Sequence, residues 1–247
     1  EIFHRYILGV YDLYDRLTSE FPHILFESCA SGGGRFDAGL LYYAPQAWTS
    51  DDSDAVERIK IQYGTSYCYP VSSMGAHVSI TPNHQLFRNT PLKLRGDVAY
   101  FGTFGYELDL NKLSVEEFEQ VKTQIEFMKK YRELIQQGTF YRLKSPFDGN
   151  IAAWQIVSAD KKKSIIGYYK ILNDVCAPYR RMKLVGLDEN ISYKIKVDDK
   201  ISAGEFFGSE LMKIGLTTTD FSCGEASHEE GKHCIDFWSR IYILEAE

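Results

Sequence analysis

The spacing of apolar residues changes period once, near residue 138, and that change limits the chain to few architectures. Before it, short apolar runs ending in polar or glycine-rich turns alternate with helical stretches, the signature of βα units. Strands are predicted at residues 24–28, 44–49, 74–79 and 98–102, with a helix over 53–63 and one short helical turn at 83–87. Ile7, Val10, Tyr11, Tyr14 and Leu17 recur at helical spacing, so the chain opens inside a helix. A long amphipathic helix is predicted over 114–137, with Ser114 and Glu117 as a capping box, Val121, Ile125, Met128 and Leu134 on its buried side, and Gly138 ending it. After it come alternating segments at 152–157, 164–172, 181–185 and 193–197, separated by turns at Asp148-Gly149-Asn150 and Asp188-Glu189-Asn190. The expected class is α/β for residues 1–138 and an antiparallel all-β module, a sandwich in its usual shape, for 139–247.

Two polar clusters follow predicted strands. One is Glu27-Ser28-Cys29-Ala30-Ser31-Gly32-Gly33-Gly34-Arg35-Phe36-Asp37, after Phe21 to Phe26; the other is Trp48-Thr49-Ser50-Asp51-Asp52-Ser53-Asp54. Parallel strands carry their loops to one C-terminal rim, so residues just past successive strands converge on one pocket. Cys29 and Asp51 are therefore expected to face a common substrate.

These clusters closely resemble the glycoside hydrolase family 36 α-galactosidases of bacteria and fungi. The resemblance continues through residues 59–64, 74–79, 82–85 and 141–147, through Gly186-Leu187-Asp188, and to 239–244 near the end. It implies the second half of a (β/α)8 TIM barrel, strands five to eight, followed by a C-terminal antiparallel β-domain. It implies retaining hydrolysis of terminal α-linked galactose, as in melibiose or raffinose-type sugars, without a cofactor. Asp51 matches the general acid/base of the family's Trp-x-Ser-Asp segment. Cys29, Gly32, Gly33, Arg35, Trp48 and Ser50 fall to the galactose pocket by the same resemblance. The family's nucleophile, an aspartate in a Lys-Trp-Asp segment on an earlier strand, has no counterpart here. The chain, which lacks a start methionine, thus reads as a C-terminal portion whose own activity is expected to be nil. A half-barrel exposes sheet edges and apolar surface, so it is expected to need a mate, either the missing half or a second copy. A homo-oligomer, a tetramer in the parent enzyme, is what the family implies.

Composition trims the remaining classes. A formal net charge of −6 disfavours nucleic acid or an anionic membrane as the main partner. No apolar run approaches the roughly 20 residues of a membrane-spanning helix. Five scattered cysteines, an odd number, argue for reduced thiols in a cytoplasmic compartment. The 17 tyrosines either stack on sugar faces or pack a β-rich core.

The residues themselves leave alternatives open. Retention needs two carboxyl groups about 5 to 5.5 Å apart. In the acidic cluster, crowding raises at least one pKa without saying which; Asp52 and Asp54 also read as cap and first-turn carboxylates of the next helix. Cys29 is either a small buried residue beneath the site or a sugar contact through its weak S–H. The glycine run lacks the continuation of a P-loop and suits close approach of backbone amides to hydroxyls. Arg35 and Asp37 either pair or orient the loop. His77 and His84 read as pocket support. Cys223, His228, His233 and Cys234 could form a zinc set, but their spacing fits a hairpin loop better, and no metal is expected. Two rival functions remain: an α-galactosyl transferase or α-N-acetylgalactosaminidase of the same fold, and a non-catalytic carbohydrate-binding or assembly module.

Overall fold

The computed structural model describes residues 1–29, 31, 34, 36–174, 180–199, 201–218 and 236–246. The first part contains α1 (Ile2–Glu20), β1 (Glu27–Ser28), α2 (Leu40–Tyr43), β2 (Gln46–Ala47), α3 (Ala55–Thr65), β3 (Gly75–Ser79), α4 (Leu92–Ala99), β4 (Thr103–Glu107) and α5 (Val115–Gln137). β1 pairs parallel with β2, β3 pairs parallel with β4, and a parallel bridge from Ala47 to Met74 joins the two pairs. Four strands therefore stand side by side in chain order and end at one rim. Alternation along β3 separates its two faces. Ala76 and Val78 pack against Leu92, Ala99 and Val121 on the helix side. His77 faces the other way and stacks on Trp48.

The predicted inner stripe of α1 is where the structure puts it. Ile7, Val10, Tyr11, Tyr14 and Leu17 are half-buried, although no residue of this helix is fully buried. Tyr14 lies 6.2 Å, centroid to centroid, from both Phe26 and Tyr43.

One strand expectation is corrected. Residues 98–102 do not form a strand: Val98 and Ala99 end α4, and the strand is β4, at Thr103–Glu107. Val98, Ala99, Tyr100 and Phe101 are all buried, so the end of α4 and the turn after it give the continuous apolar run of a buried strand. The 83–87 segment makes one hydrogen-bonded turn, Phe87 N–H to Asn83 O at 2.8 Å, rather than a helix. The strands at 24–28 and 44–49 pair over two residues each.

α5 begins with the predicted capping box: Glu117 N–H donates to Ser114 Oγ at 3.2 Å, and Ser114 N–H donates to Glu117 Oε2 at 3.0 Å. Val121, Met128 and Leu134 are buried and Ile125 partly so. Gly138 does end the helix, but its φ of −74° is open to any residue. Glycine is needed there because a Cβ would collide with Ile156 and with the Leu134 carbonyl. Close approach of the helix end to the next sheet, not left-handed backbone, selects it.

That sheet begins at once. β5 (Thr139–Lys144), β6 (Ile151–Val157), β7 (Lys163–Lys170), β8 (Arg181–Met182), β9 (Ser192–Val197), β10 (Ile201–Phe207), α6 (Gly208–Lys213), β11 (Leu216–Thr217) and β12 (Trp238–Ala246) complete the order. Six strands form one antiparallel sheet in the order β10-β9-β12-β7-β6-β5, and β8 pairs with β11 separately. Its central strands alternate between two cores. Ala152, Trp154, Ile156, Ile165, Tyr169, Ile241 and Ile243 join Met128, Tyr131, Leu134 and Ile135 of α5. Ala153, Val157, Ile166, Tyr168, Tyr242 and Leu244 face a second layer containing Met182, Leu211 and Leu216. Both faces are covered.

A polar clasp accompanies the first of these cores. Lys93 Nζ on α4 donates to Asp97 Oδ2 at 2.5 Å and to Asp198 Oδ1 at 2.9 Å, while Ser239 Oγ donates to Asp97 Oδ2 at 2.7 Å. Asp198 also accepts from Ile241 N–H, and neighbouring Asp199 accepts from Lys130 and Tyr131 of α5. Burial pushes the Asp97 carboxyl upward, against the opposing pull of Lys93.

Candidate active site

The two polar clusters leave from neighbouring strand ends. Ser28 pairs with Ala47, and Trp48 N–H donates to Ser28 O at 2.9 Å, so the Cys29 bend and the loop carrying Asp51 rise from one rim. Cys29 is exposed at the end of β1. Gly32, Gly33 and Arg35 lie outside the described residues. Asp37 is occupied by other partners: its Oδ1 accepts from Tyr11 Oη at 2.7 Å and from Leu40 N–H at 2.9 Å. The Tyr11 hydroxyl is held above its usual pKa, chiefly by that hydrogen bond. Phe36 is stacked against Tyr69, with centroids 4.2 Å apart, so the far side of the bend is anchored by packing.

In the second cluster, three acids close in sequence have three different surroundings. Asp54 is 1% exposed and caps α3, its Oδ1 accepting from Val56 N–H at 3.0 Å and Glu57 N–H at 3.1 Å. It also forms an ion pair with Arg88. Asp52 Oδ1 accepts from Asp54 N–H at 3.0 Å and shapes the turn before the cap. Both therefore serve the start of α3, which uses them to satisfy the open N–H groups of a helix N-terminus. Asp51 is exposed, and its carboxylate has no hydrogen-bond partner among the described residues.

The Asp51 loop is braced from several sides. Ser50 Oγ accepts from Asp52 N–H at 3.1 Å. Gln85, on the loop after β3, spans the turn: its Nε2 donates to Asp51 O at 2.9 Å and its Oε1 accepts from Ser53 N–H at 3.1 Å. Asn83 Nδ2 donates to Ser53 Oγ at 3.3 Å. Below the loop, the Trp48 ring is 9% exposed; His77 stacks on it at 4.5 Å and the Arg58 guanidinium lies over it at 4.5 Å. A Cβ on Gly75 would meet the same ring at 2.9 Å, so glycine is required for the indole to lie flat on β3. His77 Nδ1 is 3.7 Å from Glu107 Oε2 on β4, a pocket-side placement, whereas His84 is exposed.

Two bracing residues, Arg58 and Gln85, are not among those the sequence singled out. Arg58 had a readable signal, since it shares the 55, 58, 59, 62 stripe of α3 with Ala55, Ile59 and Gln62 and is a charge placed on a buried face. Gln85 lies in the family-resembling segment 82–85, but its bracing role was not readable, because its partners are backbone groups of a distant loop. Among the described residues no cluster of three or more His, Cys, Asp or Glu side chains could hold a metal ion. Cys223, His228, His233 and Cys234, with their zinc and hairpin readings, lie outside the described residues. No described helix is long and apolar enough to cross a membrane.

A parallel half-barrel with a polar rim, joined to an antiparallel β-domain, is the architecture of a glycoside hydrolase, and comparison with known proteins identifies which. The Melibiase family model matches residues 1–138, and the glycosyl hydrolase family 36 C-terminal domain matches 151–244. The chain belongs to this family. It is 55% identical over 216 residues to α-galactosidase AgaA of Geobacillus stearothermophilus and 47% identical over 216 residues to α-galactosidase Mel36A of Lactobacillus acidophilus. Each alignment covers 87% of this chain but 29% of the relative, so the chain spans under a third of their length. A crystal structure of an AgaA variant in complex with raffinose matches with a TM-score of 0.89 at 50% identity, covering 99% of this chain and 32% of that one. The α-galactosidase of Lactobacillus brevis matches with a TM-score of 0.90 at 52% identity, covering 99% and 32%. The fold is accordingly the second half of a (β/α)8 barrel followed by an antiparallel C-terminal β-domain.

Proposed function

We propose that this chain supplies the acid/base side of a retaining α-galactosidase site, with Asp51 as the proton donor. In the first step Asp51 gives its proton to the glycosidic oxygen as the bond from that oxygen to the anomeric carbon breaks and a carboxylate attacks that carbon. In the second step Asp51 takes a proton from water, which displaces the carboxylate and releases galactose. The attacking carboxylate belongs to an earlier barrel strand outside this chain, so the chain by itself is inactive. The observation that carries the assignment is the division of labour in the acidic cluster: Asp52 and Asp54 are committed to backbone N–H groups and Arg88, and Asp51 alone presents an uncommitted carboxylate at the rim. A group that exchanges a proton with substrate needs an oxygen free to reach it.

The substrate class is a galactose-containing oligosaccharide such as raffinose, supported by a relative crystallised with that sugar. Cys29, Gly32, Gly33, Arg35 and Ser50 would line the galactose subsite, with Trp48 as a floor already covered by His77 and Arg58. Large apolar side chains on α1 and before β1, including Ile2, Phe3, Leu13 and Leu25, are exposed and suit association with the remainder of the barrel or a second copy in a homo-oligomer. A reducing cytoplasmic compartment fits the scattered cysteines.

The deciding experiment is Asp51→Asn beside Asp52→Asn in a complete enzyme carrying this chain. Loss of general acid catalysis lowers raffinose turnover by roughly 10²- to 10⁴-fold for Asp51→Asn. In kcat/KM, which reports the first step alone, an aryl α-galactoside whose leaving group needs no proton suffers less. Full raffinose turnover with Asp51→Asn would remove the assignment.

A further inference from the structure

Arg58 is a buried cation with no carboxylate partner among the described residues. It sits on the first turns of α3, 2% exposed, and no ion pair to it is found among the described residues. Its guanidinium instead grips the end of β2 and the start of β3. Nη1 donates to Ser50 O at 3.2 Å, and Nη2 donates to Thr49 Oγ1 at 3.3 Å and to Gly75 O at 2.5 Å. The Nε–H is buried with no partner among the described residues. Burial lowers its pKa to about 10, with Asp52 and Glu107 as the opposing charges.

A guanidinium in this state is a poor choice for stability alone. Burying a charge without a paired counter-ion is costly, and an apolar side chain of similar volume would fill the same space at less expense. What the guanidinium does that an apolar chain cannot is hold Thr49, Ser50 and Gly75 in fixed relation through a rigid planar fork. Ser50 is the residue immediately before Asp51. Its carbonyl is held from below by Arg58, while the Asp51 carbonyl is held from the side by Gln85.

We propose that Arg58 is a positioning residue for the proton donor, fixing the angle at which the loop delivers the Asp51 carboxyl to the glycosidic oxygen. The proposal rests on the acid/base reading of Asp51. It extends that reading from the group that reacts to the group that aims it. Misplacement of a reacting group by about 1 Å costs on the order of 10²-fold in rate. The damage should appear in the step that needs the proton and should spare ground-state binding.

The test compares Arg58→Lys, Arg58→Met and Asp51→Asn in the complete enzyme carrying this chain, with raffinose and with an activated aryl α-galactoside. For both Arg58 variants we expect kcat on raffinose to fall about 10- to 100-fold. KM for raffinose should stay within about twofold, and kcat/KM for the activated substrate, which reports the first step alone, should fall several times less than kcat/KM for raffinose. Arg58→Lys keeps the charge but not the fork, so it should rescue little. A merely structural role would lower both substrates in proportion to the folded fraction, and that outcome, or unchanged kcat on raffinose, overturns the proposal. Asp51→Asn separates the two claims: if it shows the leaving-group signature and the Arg58 variants do not, only the Arg58 proposal falls. If Asp51→Asn lacks the signature, both fall. Thr49→Val removes one acceptor while leaving the charge in place, and it decides the case if neither Arg58 variant folds. A loss of about threefold confined to raffinose supports the proposal, and no such loss overturns it.

Discussion

The barrel part and the β-domain bury their apolar residues by different routes. In the β-domain, β6, β7 and β12 send alternate side chains into two cores, and the partners of each strand lie on hairpin neighbours or on α5. In the barrel part, α1 has no buried residue, β1 and β2 pair over two residues each, and Leu25 and Phe3 are 89% and 86% exposed. Antiparallel strands close a core with their own neighbours, whereas each parallel strand needs the next βα unit on either side. The site therefore stands on the less buried part, and the stability of the chain is concentrated where α5 meets the sheet.

The sharpest way to break this contrast is to remove the centre of the first core. Trp154 is 1% exposed, contacts Phe101 and Tyr169, and belongs to the cluster that α5 shares with the sheet. Trp154→Ala is expected to cost about 3–5 kcal/mol in urea unfolding. A loss below about 1 kcal/mol would show that the sheet is not the stable part. Next in size is the polar clasp. Asp97→Ala leaves Lys93 with Asp198 alone and Ser239 Oγ without its acceptor, so about 1–3 kcal/mol is expected. Lys93→Ala should cost at least as much, because it leaves the buried Asp97 carboxyl without its cation. A clearly smaller loss for Lys93→Ala than for Asp97→Ala would mean that the clasp is held by the hydrogen bonds to the carboxyl rather than by charge.

The sequence disclosed the stable part more fully than the site. Alternation located β6, β7 and β9, though not β5, β10 or β12, and the capping box fixed the start of α5, because both are local patterns with one physical cause. It failed at the end of α4, where the buried run Val98-Ala99-Tyr100-Phe101 reads the same for a helix end as for a strand. It gave the right place but the wrong cause at Gly138, where contact with Ile156 is a tertiary fact. At the site, adjacent strand ends were foreseeable from parallel order. The sequence could not say which of Asp51, Asp52 and Asp54 was uncommitted, since that depends on which amides and cations each carboxylate meets.

A smaller effect is expected at the start of α5, where both regions meet. Ser114→Ala removes the side-chain acceptor for Glu117 N–H on an exposed helix end. It should cost about 1 kcal/mol, measured by thermal unfolding. Restoring the acceptor with Ser114→Asp should recover most of it, because aspartate caps as well and its charge favours the helix N-terminus.

The smallest change in folding stability is expected on α1, and it is the one that tests the barrel part most directly. Leu8 and Leu13 are about half exposed, so replacing either by Ser should alter unfolding by no more than about 0.5 kcal/mol. Tyr14, on the half-buried stripe against Phe26 and Tyr43, should cost more when truncated. If the exposed leucines instead meet a second copy or the rest of the barrel, their substitution leaves the unfolding of the monomer nearly unchanged but weakens assembly. Light scattering across a concentration series distinguishes the two. Loss of association with little change in monomer unfolding marks α1 as an interface. A large drop in monomer stability would show that α1 is packed as tightly as the β-domain, and the contrast between the two parts would disappear.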